Sequence, residues 1–253
     1  MLLELLKSTI NPPKKLTTPL FNENFIDIHS HILPGVDDGA ASIEDALKLM
    51  KKMRSFGIQN FVFTPHVMNE VWENSTERIM QRFHEFKFHV EQEPGLENVT
   101  MRVAAEYMLD ENFLHLLETK DLLTVKDNMI LVELSFMSPP MNLFRLLAEI
   151  QKKGYIPILA HPERYLSFHH NFGMYCKLKT AGCLFQVNLL SLSSYYNKEV
   201  QDTALWLIRN NLIDYLGTDI HRLHQMEAVE ELLGKFSLIE LVKPLVRNNY
   251  QLL

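Results

Sequence analysis

The feature that most limits what this chain can fold into is a sevenfold alternation of short apolar runs with longer amphipathic stretches. The runs are Phe25–His29, Phe61–Thr64, Thr100–Ala105, Met129–Val132, Tyr155–Ala160, Cys183–Val187 and Ile213–Gly217. Each has the length of a strand buried on both faces. Helical periodicity fills the gaps over 42–56, 75–92, 111–118, 141–153, 172–180 and 199–210, and continues over 225–236 and 239–248. Ser42, with Asp45 three residues on, reads as an N-cap, while Gly57, Gly154 and Gly182 stand where helices stop. Strands alternating with helices give βαβ units and a parallel sheet. Seven units predict a closed or nearly closed barrel, a variation on the eight-unit α/β barrel, with an open doubly wound sheet as the alternative.

The chain has 253 residues, 47% of them hydrophobic, which is enough for one sizeable core. Met1 to Ile10 is apolar but interrupted by Glu4 and Lys7, too short and too charged for a signal peptide or a membrane span. It reads as a short helix. Pro12, Pro13 and Pro19 then make an extended lead-in, so residues 1–24 precede a barrel over 25–253. The formal charge of −6 disfavours nucleic acid and anionic membranes as partners. An anionic substrate remains compatible, because bound divalent cations would make one cleft positive. Only Cys176 and Cys183 are present, outside any Cys-x-x-Cys pair, so a reducing, cytoplasmic setting is expected.

What ends each run is more informative. The first ends in His29 and His31, and its loop carries Asp37 and Asp38; the second ends in Thr64-Pro65-His66. Glu106, Glu133 and His161 end the third, fourth and fifth, Asn188 ends the sixth, and Asp219 and His221 end the seventh. Parallel strands share one C-terminal face, where barrel active sites lie. A lone His at a strand end is more often a hydrogen-bonded structural residue than a ligand. His-x-His alone is weak too, since alternate strand residues share a face. The joint pattern is harder to explain that way: so many imidazoles and carboxylates around one mouth need cations to offset repulsion and desolvation. His84, His89, His115, His169, His170 and His224 fall on helices or loops and read as solvated or structural. Arg164 and Arg222 stand near the same face, where a guanidinium fork suits phosphate oxygens. Tyr107, Trp72 and Phe136 could line an aromatic pocket or pack in the core.

The segments Asp27-Ile-His-Ser-His-Ile-Leu-Pro-Gly-Val-Asp-Asp-Gly39, Thr64-Pro-His66, Ala105-Glu-Tyr107, Val132-Glu133, His161-Pro-Glu-Arg164 and Thr218-Asp-Ile-His221 resemble the PHP (polymerase and histidinol phosphatase) superfamily. Within it they are similar to the bacterial CpsB/YwqE-type tyrosine phosphatases of capsule and exopolysaccharide synthesis. The resemblance implies a distorted TIM-like (β/α)7 barrel with three divalent metal ions, manganese first, iron or zinc otherwise. By position, His29, His31, Glu106 and Asp219 would hold one metal. Glu106 would bridge to a second, completed by Glu133 and His161; Asp38, His66 and His221 would hold the third. Arg164 and Arg222 match the phosphate-binding positions. The seventh motif departs mildly, with Thr218 where serine is commoner.

The expected chemistry is in-line attack on phosphorus by a metal-bound hydroxide, with no phosphoenzyme. A cysteine nucleophile would need Arg six positions on, where Cys176 meets Gly182 and Cys183 meets Leu189. By resemblance the substrate is a phosphotyrosine protein, the tyrosine-rich tail of a bacterial tyrosine kinase. A small-molecule phosphatase of the histidinol-phosphatase type is the alternative, and a metal-dependent nuclease is disfavoured by the lack of basic tracts. The sequence leaves the oligomeric state open.

Overall fold

Two interruptions shape the sheets. In the computed structural model, which describes residues 20–169 and 171–253, the second run is split at Thr64-Pro65 into β2 (Asn60–Phe63) and β3 (His66–Val67). Proline has no N–H to give a ladder, so pairing shifts there. The third run is likewise split, at Ala104-Ala105, into β4 (Thr100–Val103) and β5 (Glu106–Met108). With β1 (Ile26–Asp27), β6 (Met129–Glu133), β7 (Ile156–Ala160), β8 (Leu184–Asn188) and β9 (Tyr215–Gly217), these form two parallel sheets. Their orders are β1-β2-β4 and β3-β5-β6-β7-β8-β9. The seventh run makes no ladder with the first. A single parallel bridge between Ser30 and Ile220, with His31 N–H donating to Ile220 O and Asp219 N–H to His29 O, joins them. The helix expected over Met1–Ile10, most of the lead-in and His170 lie outside the described residues.

The helices follow the expected periodicity, from α1 (Ile43–Ser55), which Ser42 caps by accepting from Asp45 N–H, to α7 (Gln225–Leu233) and α8 (Phe236–Asn249). Between them lie α2 (Thr76–Gln92), α3 (Glu111–Thr119), α4 (Leu143–Lys152), α5 (Phe172–Thr180) and α6 (Lys198–Arg209). No helix among the described residues is long and apolar enough to cross a membrane.

The core divides by strand parity. Ile130 and Val132 belong to a large cluster shared with the helices, whereas Leu131 joins Val62, Ala104, Ile158 and Ala160 in a smaller one. Side chains two apart share a strand face. The smaller cluster's face therefore runs from Leu131 to Glu133 and from Ala104 to Glu106. Carboxylates continue the apolar interior at the C-terminal end.

Candidate metal centre

The break at Pro65 has a direct consequence for the site. It starts a new strand at His66, whose register partner is Glu106, so an imidazole stands beside a carboxylate. His66 Nδ1 lies 3.2 Å from Glu106 Oε2 and 2.8 Å from Glu133 Oε1. His161 and Asp219 have left-handed backbones, φ 33° and 52°. Such strain in non-glycine residues is concentrated at functional sites, and here it turns both side chains from their strand ends into the cluster.

His29 and His31 supply the centre. Their Nε2 atoms are 3.1 Å apart. From His29 Nε2, Glu106 Oε2 is at 3.2 Å and Asp219 Oδ1 at 3.4 Å; from His31 Nε2 both are at 3.3 Å. Each of these five distances lets both of its atoms bond one divalent cation at about 2.0–2.2 Å, the usual bond length to imidazole nitrogen or carboxylate oxygen. The ring tautomers agree with this. His29 Nδ1 is 2.7 Å from Gln186 Oε1 and His31 Nδ1 is 2.8 Å from Asp37 Oδ2. With Nδ1–H donated to those acceptors, both Nε2 lone pairs face the common centre, as metal-ligating histidines require. Glu106 Oε2 is buried amid three imidazoles yet has no hydrogen-bond partner among the described residues. An unpartnered buried carboxylate oxygen is costly, and a cation resolves it. The residues present therefore fit a metal.

Further groups surround this one. His161 Nε2 is 3.0 Å from Glu106 Oε1. Asp38 Oδ1 lies 3.6 Å from His66 Nε2 and 3.5 Å from His221 Nε2. All nine expected ligands thus gather in one region. Their grouping differs in detail from the positional carry-over: Glu133 falls with His66 and Glu106, His161 with His29 and Glu106, and His31 joins Asp38, His66 and His221.

The electrostatics reflect crowding in a buried space. Burial opposes charge on both central rings, but Glu106 and Asp219 raise the pKa of His29, and Asp37 raises that of His31. Burial also opposes the Glu106 charge, yet His29 and His66 hold its carboxyl well below the usual range. Glu133 is raised, by burial and then by Glu106. His161 is pushed down to about 4 by burial and then by Arg164.

Arg164 Nη1 donates to Asp219 Oδ2 at 2.7 Å, and its guanidinium lies between the rings of Phe136, at 4.6 Å, and Tyr196, at 4.5 Å. Phe136 and Trp72 line a cleft of about 720 Å³ that opens beside His66 and Glu133. One expectation fails. Tyr107 is not in the cleft: it follows Glu106 on β5, so it points to the opposite face, where its hydroxyl accepts from Leu123 N–H at 2.7 Å. Arg222 is exposed and, together with His221, lines a second recess against Ala40, Asp45 and Leu49. His169 is structural, as expected, with Nε2 2.7 Å from Glu163 O.

Sequence reasoning missed three orienting residues. Asp37 Oδ2 accepts from His31 and from His66 N–H, while Oδ1 accepts from Gly39 N–H. Gly39 is required there: a Cβ would stand 1.9 Å from His31 O. Gln186 holds His29, and Asn188 Nδ2 donates to Asp219 Oδ2 at 2.7 Å. Gly217 makes room for the first pair, since a Cβ would stand 2.5 Å from Gln186 Nε2 and 2.7 Å from His29 Cβ. Strand parity was the available signal, because 186 and 188 share the inward face.

The chain is 30% identical over 198 residues to the putative tyrosine-protein phosphatase CapC of Staphylococcus aureus, covering 78% of this chain and 76% of that one. It is 30% identical over 224 residues to the tyrosine-protein phosphatase YwqE of Bacillus subtilis (strain 168), covering 83% and 85%. Among solved structures, one from work on YwqE of Bacillus subtilis and CpsB of Streptococcus pneumoniae, described as unique metal-dependent tyrosine phosphatases, superposes with a TM-score of 0.72. It has 28% identity, over 88% of this chain and 94% of that one. A family model for capsular polysaccharide synthesis, CpsB/CapC, matches residues 25–240. The chain belongs to the CpsB/CapC family of capsular polysaccharide synthesis.

Proposed function

We propose that this protein is a metal-dependent protein-tyrosine phosphatase, a phosphoric monoester hydrolase. The observation that carries the reading is the unpartnered Glu106 Oε2, ringed by His29, His31 and His66 next to an aromatic-walled cleft. The names of its relatives support it. The nine ligands are His29, His31, Asp38, His66, Glu106, Glu133, His161, Asp219 and His221, and they offer sites for three divalent ions, manganese first, with iron or zinc as alternatives. The reading extends to a cytoplasmic setting and to the tyrosine-rich tail of a bacterial tyrosine kinase as substrate.

Divalent ions at such a site lower the pKa of water and neutralise charge on entering and leaving oxygens. The chain's own residues do the rest. Gln186 and Asp37 fix the rings of His29 and His31. Arg164, clamped between two aromatic rings and tied to Asp219, offers its remaining N–H groups to phosphate oxygens. Phe136 and Trp72 give the substrate ring an apolar wall. Water's oxygen bonds to phosphorus, the bond to the tyrosyl oxygen breaks, and phosphate and tyrosine leave.

The test pairs metal quantification of the purified protein with rates on a phosphotyrosine peptide and on histidinol phosphate, with His29→Ala as control. The expected result is bound metal, preference for the peptide, loss of activity with chelator and none with thiol alkylation. Full activity after exhaustive metal removal would sink the reading.

A further inference from the structure

The cleft beside the metal centre is larger than the chemistry requires. At about 720 Å³ it has the size of pockets that enclose a drug-sized ligand. A phosphotyrosine side chain reaching His66 and Glu133 leaves part of it to whatever flanks that tyrosine.

Its walls have a definite character. One is a small hairpin held by two backbone bonds between Met68 and Trp72, 3.0 and 2.9 Å, and tied to the next loop by Asn69 N–H donating to Asp110 Oδ2 at 2.8 Å. Glu70 sits at its tip with φ 62°, a left-handed backbone unusual for glutamate, beside Val71, which is 59% exposed. The facing wall carries Phe136 and Met137, the latter 84% exposed. An exposed methionine beside an aromatic ring is an adaptable apolar surface. Glu70, Asp110 and Glu111 line the cleft outside the metal cluster, and among the described residues no lysine or arginine lines it. Asp110 also caps α3, accepting from Phe113 N–H.

We propose that this cleft is the docking surface for the polypeptide on either side of the phosphotyrosine, and that it selects flanks mixing apolar with basic residues against acidic ones. The apolar walls supply contact area, and the acidic rim supplies discrimination by repelling carboxylates and attracting ammonium groups. The inference rests on the phosphotyrosine reading above and adds what that reading lacks, a rule for which phosphotyrosines are taken.

The experiment uses two phosphotyrosine peptides of equal length that share leucine and valine neighbours and differ only in flanking lysines or glutamates. Each kcat/KM is divided by that on p-nitrophenyl phosphate, which has no flanks. The expected ratio favours the lysine peptide by about three- to tenfold, the scale of two or three exposed ion pairs. The gap narrows as salt is added, because exposed charges are screened. Glu70→Gln with Glu111→Gln should also narrow it. Equal ratios for the two peptides, or preference for the glutamate peptide, in the wild-type protein overturn the proposal. Failure to hydrolyse p-nitrophenyl phosphate and both peptides overturns the phosphatase reading itself, and this inference with it.

Discussion

The two ends of the strands are equally buried and built on opposite terms. At the N-terminal end Leu252 closes the small apolar cluster against Val62, Ala104, Leu131 and Ile158. Most polar groups there find neutral partners. Asn249, fully buried, donates to Ile26 O and Leu216 O and accepts from Leu216 N–H, while Arg102 donates to Leu252 O and keeps one buried nitrogen, Nε, without a partner among the described residues. At the C-terminal end His29, His31, Glu106 and Asp219 are buried just as fully. Yet Glu106 Oε2 has no partner, and Glu133 is raised partly by its like-charged neighbour. One end lowers the free energy of the fold; the other concentrates charge that only a ligand can balance. Substitutions at the two ends should therefore separate activity from stability.

The largest effect is expected from Glu106→Gln. Four imidazoles, those of His29, His31, His66 and His161, have a nitrogen within 3.3 Å of this one carboxylate. The amide keeps the shape and removes the charge. Hydrolysis of p-nitrophenyl phosphate should fall by about 1000-fold or more, since metal ions stabilise such transition states by several kcal/mol. Bound metal per chain should fall as well. The melting temperature measured in chelator should move by only a few degrees. A rate near that of the wild type would remove Glu106 from the centre of the site.

Leu252→Ala makes the opposite cut. Truncating a buried leucine costs about 2–4 kcal/mol. In a chain of this size that lowers the melting temperature by roughly 5–15 °C. Metal content and the rate per folded molecule should stay at wild-type values. A large loss of rate with an unchanged melting curve would mean that the two ends are not independent.

What could be read from the sequence follows the same division. Strand and helix periods, and caps such as Ser42, are local properties, and the structure keeps most of them to within two residues, with boundaries of α7 and α8 shifted by three. The imidazoles and carboxylates at strand ends were legible because parallel strands bring those ends to one face. Tyr107 was left open between pocket wall and core although the signal to decide existed: a residue adjacent to Glu106 on a strand must face the other way. The loop 35–40 hid the division of labour between Asp37, which orients His31, and Asp38, which faces His66 and His221. The order of two aspartates in a tight turn does not reveal which points inward. Gln186 and Asn188 were passed over because neutral amides have no ligand signature, and their role exists only in the distances to His29 and Asp219.

Those amides give the smallest and sharpest of the expected effects. β8 supplies no charged group to the cluster, yet it touches two ligands. Gln186 Oε1 accepts from His29 Nδ1, so Nε2 points inward; Asn188 Nδ2 and Arg164 both hold Asp219 Oδ2, so Oδ1 points inward. Gln186→Met keeps the volume and deletes the acceptor. Asn188→Asp keeps the oxygen that accepts from Leu190 N–H and places a second carboxylate oxygen against Asp219. Each should weaken metal affinity by about 10–100-fold, the usual cost of losing such an outer contact. Titration of metal into the chelator-treated protein reads this without reference to turnover. Gln186→Glu should restore affinity, because it keeps an acceptor for the ring N–H. If Gln186→Met binds metal like the wild type, or if Gln186→Glu is as weak as Gln186→Met, the strand is only packing. The contrast between the ends of the fold would then rest on the charged ligands alone.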